Sequence, residues 1–131
     1  MKRSLRMLLL AFAVPVLAVG ATYWTRPYAE LQLPSALLWW PVVLVFFGAV
    51  ASRLAGAGFF ASWMAPGAAL PVVVLVRIVR DTAADPTTHN LWPLEFLIAD
   101  GLGFGAAFLG VVAAGLSLKA RTPAAGGTDG T

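Results

Sequence analysis

Arg77 to Asp100, RIVRDTAADPTTHNLWPLEFLIAD, interrupts a chain that is otherwise almost uncharged, and it holds four of the six acidic residues and the only histidine. Before it lie 23 uncharged residues, Leu54 to Val76, and after it the apolar sequence continues to Leu118. A helix needs about 20 apolar residues to cross a hydrocarbon core about 30 Å thick. The polar stretch therefore reads as the loop and flanks of a helical hairpin, not as part of a soluble domain.

Composition supports this reading. The chain has 131 residues, 60% of them hydrophobic and 11% charged, with a mean hydropathy of +0.83; an ordinary soluble domain is roughly 45–50% apolar and about 25% charged. The apolar excess has to face lipid. The net charge of +3 lies at the edges of apolar runs and forms no continuous patch, so membrane orientation explains it and no nucleic-acid partner is expected. The absence of cysteine excludes disulfides, thiolate metal sites and thiol chemistry.

Working outward from the loop, the third span is expected at 59–80, after a tight connection at Ala55 to Gly58, and it should bend near Pro66 and Pro71. A re-entrant segment ending near Pro66 is the alternative. The fourth span is expected at 93–118, with Pro93 in its first turn, and the Gly-rich tail 119–131 should be disordered. Toward the N-terminus, a span at 35–52 opens at Pro34 and ends at Arg53, with Trp39 and Trp40 at an interface. The first span, 7–25, follows Lys2, Arg3 and Arg6, contains the helix-bending Pro15, and places Tyr23 and Trp24 at the far interface. Small residues at Ala18, Gly20 and Ala21 offer the competing reading of a cleaved signal peptide, but the run continues past them to the aromatic pair.

The predicted fold is an all-α integral membrane protein with four transmembrane helices in an antiparallel bundle. Lys2, Arg3, Arg6, Arg53, Lys119 and Arg121 on one side outnumber Arg26, Arg77 and Arg80 on the other, so both termini and the tail are expected in the cytoplasm of a bacterial-type plasma (inner) membrane.

Asp100, Gly103, Ala107, Gly110 and Ala114 recur at three- and four-residue spacings and share one face of the fourth helix. Small residues allow close backbone approach in lipid, either within the bundle, the favoured reading, or at a homodimer seam. Gly101 and Gly105 add a GxxxG pair beside them. Asp100 needs a partner at membrane depth, and Arg77, with Arg80 as the alternative, is expected to pair with it. The pair would either lock two helix ends together or form a site for an ion, proton or anionic ligand. Glu95, about 140° around the helix from Asp100, is expected at the interface, where an acid complements the helix dipole.

Asp81, Asp85, His89 and Glu95 carry suitable metal-ligand groups, but one histidine with unevenly spaced acids makes a solvated loop the ordinary reading, with His89 and Asn90 bonding helix ends. No metal or cofactor is expected. There is no HExxH, GxSxG or Walker loop, and the glycines at 101, 103 and 105 do not form GxGxxG because position 106 is Ala. Two functions follow: a membrane subunit, assembly factor or scaffold acting by helix association with a second copy or another membrane protein, or a small oligomeric transporter or channel with a polar site around Arg77 and Asp100. A membrane enzyme using His89 with Asp85 or Glu95 would rest on one histidine.

Overall fold

The computed structural model describes residues 2–27, 39–87 and 91–121. The regular structure within them is entirely α-helical: α1 (Lys2–Tyr23), α2 (Trp40–Leu54), α3 (Phe59–Gly67), α4 (Ala69–Ala84) and α5 (Trp92–Arg121). Pro34, the expected helix start at 35–38, His89, Asn90 and the tail beyond Arg121 lie outside the described residues.

Three helices are long and apolar enough to cross a membrane: Lys2–Tyr23, Phe59–Ala84 taken through the α3–α4 junction, and Trp92–Arg121. The 15 described residues of α2 extend only about 22 Å, short of a hydrocarbon core of about 30 Å. Pro41 sits in the first turn of α2, where its missing N–H removes no intrahelical bond. The α2–α3 turn uses Gly56 at φ 89°, a left-handed conformation that glycine adopts without a Cβ clash. Several boundaries differ from the sequence expectation, and α5 runs on to Arg121, taking in Lys119–Arg121 that were expected in the disordered tail. The basic head from Lys2 is helical, and α4 continues four residues past Arg80 to Ala84, which brings Asp81 out of the expected loop and one turn above Arg77.

α5 packs on α2, α3 and α4, and α1 packs on the same three helices from the other side. The interior is made largely of small side chains: Ala49, Ala69, Ala99, Ala107, Gly103 and Gly110 are buried together with Val45, Leu70, Val73 and Val111. Large apolar side chains point outward, with Leu17, Phe60, Leu97 and Leu116 each at least 66%, 71%, 65% and 66% exposed respectively. That size inversion suits lipid, where helices gain nothing by burying leucine and associate through close backbone contact. With three helices of spanning length, it points to a membrane location.

Proline and glycine are matched across the helix contacts. Pro15 and Pro71 lie inside α1 and α4 and cannot donate to the carbonyls of Ala11 and Gly67 one turn earlier. A glycine from a neighbouring helix lies against each of these carbonyls. An added Cβ at Gly48 would come 3.2 Å from the Ala11 oxygen, and one at Gly103 would collide with the Gly67 oxygen. Cα–H groups can approach such carbonyls closely and weakly satisfy them. The α3–α4 break at Ala68 and the glycine of α5 are thus one structural feature.

Candidate functional site

Arg77 is 2% exposed and lies on α4 beside the C-terminal end of α1. The last carbonyls of a helix have no intrahelical donor, and at α1 two arginines from α4 supply donors. Arg77 donates from Nη1 to the Tyr23 carbonyl, from Nη2 to the Arg26 carbonyl at 2.9 Å, and from Nε to Asp81 Oδ2 at 3.0 Å. Its guanidinium carbon lies 5.1 Å from the centre of the Tyr23 ring, within cation–π range. Arg80 donates from Nη1 to the Trp24 carbonyl at 3.1 Å and from Nε to Asp81 Oδ1 at 3.1 Å. Trp24 closes the junction by donating its indole N–H to the Val73 carbonyl at 3.0 Å.

This clasp needs arginine specifically, because its planar fork reaches two carbonyls and a carboxylate at once and carries a charge that complements the negative end of the α1 dipole. Thr22 and Thr25 satisfy carbonyls one turn earlier, bonding Ala18 and Ala21 at 3.0 and 2.7 Å. Tyr23, in the last turn of α1, is 3% exposed and part of the core. Ala11, Pro15, Val19 and Gly20 are also buried, so α1 is an integral layer of the bundle and Gly20, one of the small residues of the cleavage reading, lies inside it.

The expected Arg77–Asp100 pair is not formed. The ion pairs at this end join Arg77 and Arg80 to Asp81 at 3.0 and 3.1 Å, and among the described residues no ion pair or hydrogen bond reaches the Asp100 carboxylate. The cause is register. Phe59 meets Phe108, Trp63 donates to the Phe104 carbonyl at 2.9 Å, and Gly103 meets Gly67 and Pro71. Continued along two antiparallel helices, these contacts put Glu95 level with Arg77 and Asp100 level with Val72, about 7 Å deeper. Counting from helix ends had placed Asp100 at the depth where Glu95 stands.

Glu95 also departs from expectation: its spacing from Asp100 predicts that it faces away from the small-residue side, yet it is 5% exposed and on the buried side of α5. The buried side of α5 runs through Glu95, Ala99, Gly103, Ala106, Ala107, Gly110 and Ala114; its centre falls between Glu95 and Asp100, so both acids flank it. Asp100 is half-buried on the other flank. Gly103 and Gly110 are used within the chain: Gly103 against the α3–α4 junction, and Gly110 against α2, where an added Cβ would lie 2.5 Å from the Phe46 carbonyl oxygen. Gly101 and Gly105, by contrast, are exposed and have open space over them.

Of the loop candidates, Asp81 is turned to the arginines, and Asp85 folds onto its own turn, accepting from the Thr87 N–H at 2.9 Å and hydroxyl at 2.7 Å. Those two bonds, the backbone one first, hold the Asp85 carboxyl below its ordinary value. Among the described residues no group of three His, Cys, Asp or Glu gathers that could hold a metal. The clasp's carbonyl acceptors have no sequence signature; the cue available was a pair of arginines one turn apart facing the end of another helix. No family model, curated protein or solved structure matches the chain.

Proposed function

We propose that the chain is a four-span protein of a bacterial-type plasma membrane, with both termini cytoplasmic, that acts by helix association as a subunit, assembly factor or scaffold of a larger membrane assembly. The carrying observation is the contrast on α5. The Gly103 and Gly110 side is closed by the chain's own helices, while Gly101 and Gly105, a GxxxG pair, lie open between the exposed Leu97 and Leu109. Such a face supports close packing of a further helix in lipid. In this reading α2, an apolar helix shorter than the other three, is the fourth span. Chemical crosslinking in the native membrane tests the reading. Gly101→Leu with Gly105→Leu should abolish the crosslinked species while leaving the monomer folded, and an unchanged crosslinking pattern would contradict it.

A second reading, a small oligomeric transporter or channel, is favoured by Asp100 alone. A half-buried carboxylate within a spanning helix is a functional candidate by default, and it lies level with the segment just after the α3–α4 break, a feature that commonly frames membrane binding sites. Flux through reconstituted vesicles that Asp100→Asn abolishes would support this reading over the first.

A further inference from the structure

α1 and α2 leave an open groove of about 240 Å³ on the outside of the bundle. Its floor is low because Ala11 and Gly48 meet there; its walls are Met7, Leu10 and Val14 from α1 and Leu44, Phe47 and Ala51 from α2. The walls are tall and outward-facing, with Leu10 53%, Val14 47% and Phe47 61% exposed. The groove follows α1 from Pro15 to Met7, about 12 Å, a length that holds part of one extended hydrocarbon chain.

At the Met7 end the character changes. Arg3 continues the line of Met7, Leu10 and Val14 at helical spacing, and Arg6 lies beside it; both are exposed, and among the described residues neither has a hydrogen-bond or ion-pair partner. The contact of Ala11 with Gly48 sets the antiparallel register, which puts Arg3 level with Gly56, just beyond the end of α2, and Arg6 level with Arg53. Lys2 lies at the same end, as do Lys119 and Arg121 in the last turn of α5. The described acids, Asp81, Asp85, Glu95 and Asp100, belong to the other half of the bundle, so among the described residues nothing acidic offsets these cations.

We infer that this groove is a binding site for one acidic phospholipid, its acyl chain between α1 and α2 and its phosphate at Arg3 and Arg6. The apolar walls accept any lipid tail, since transfer from bilayer to groove gains no hydrophobic free energy. Selection comes from the headgroup: each basic residue near an anionic lipid surface contributes about 1 kcal/mol, a factor of about five in affinity. Arg3 and Arg6 project from the first turns of a helix whose own N–H groups there also favour an anion.

The test uses the full chain reconstituted in vesicles of phosphatidylcholine mixed with phosphatidylglycerol, released into detergent and weighed by native mass spectrometry. One phosphatidylglycerol should be retained in preference to phosphatidylcholine. Arg3→Gln with Arg6→Gln should lower that preference about 25-fold, on the basis of about fivefold per residue. Ala51→Phe, which fills the groove and leaves the charges, should abolish retention of both lipids, and Val14→Trp on the opposite wall should do the same if Ala51→Phe disturbs folding. Equal retention of the two lipids by the unaltered chain would overturn the inference. So would phosphatidylglycerol retention that survives either filled groove in a folded protein, since the lipid would then be held by surface charge alone.

Discussion

The two faces of α5 each carry a pair of glycines, in opposite surroundings. Gly103 and Gly110 abut backbone from α3–α4 and α2, whereas an added Cβ at Gly101 or Gly105 would meet nothing within 4 Å among the described residues. Spacing alone made both faces candidates for association. What separates them is whether a neighbouring carbonyl already lies where a Cβ would be, and only the assembled bundle supplies that. The same distinction holds for the charges: Arg77 is engaged by three acceptors, while Asp100, on the same hairpin, is engaged by none of the described residues.

The largest expected effect comes from forcing the closed face open. Gly110→Leu or Gly103→Leu drives a side chain into backbone that cannot move aside, and should destabilise the bundle by about 3 kcal/mol or more, read as a lower unfolding midpoint in detergent. A near-normal midpoint would erase the distinction between the faces.

Removing the clasp should come next. Arg77→Gln leaves the buried carbonyl of Tyr23 and the part-buried one of Arg26 short of donors, a loss of about 2–3 kcal/mol. Arg77→Lys should not restore it, because an ammonium cannot span acceptors that the planar fork reaches. Full rescue by lysine would show that charge alone matters. Thermal unfolding of the two variants, side by side, decides this.

On the open face, Gly101→Leu and Gly105→Leu should change stability by less than about 0.5 kcal/mol while removing crosslinked partners. Asp100→Asn should likewise leave the unfolding midpoint within about 0.5 kcal/mol; a drop comparable to that of Arg77→Gln would reveal a structural partner and make the two residues alike after all.

The smallest effect concerns the Asp85 turn. Its carboxyl is held below the ordinary value of 3.8 by the Thr87 N–H and then the Thr87 hydroxyl. A lowered folded-state value stabilises the turn above the unfolded value, and the contribution is lost as pH falls through the lower folded one. An NMR titration of the Asp85 side chain should therefore show a midpoint under 3.8, and Thr87→Val should raise it.

Much of this architecture was legible in the residues. Apolar runs bounded by arginines located the helices, paired prolines marked the α3–α4 break, and three- and four-residue spacing picked out Gly103, Ala107, Gly110 and Ala114, all of them buried. The arginine partners were not legible, because a main-chain carbonyl has no letter of its own and an acid nearby in depth attracts the pairing by default. Asp81 was misplaced because its composition suited a loop, although an acid four residues after Arg77 also suits a helix. Depth failed for a related reason: helix ends fray into the interface and make poor origins, whereas the register is fixed where Gly103 meets Gly67 and Pro71.

The contrast between the two glycine faces can be tested most directly by the smallest change that separates them, an added methyl group. Unfolding of Gly110→Ala and Gly105→Ala should be measured in the same detergent. The account predicts a loss of about 1–3 kcal/mol at Gly110 and an unchanged or higher stability at Gly105, where alanine favours the helix by up to about 1 kcal/mol. Equal losses at both positions, or a tolerated methyl at Gly110, would contradict it.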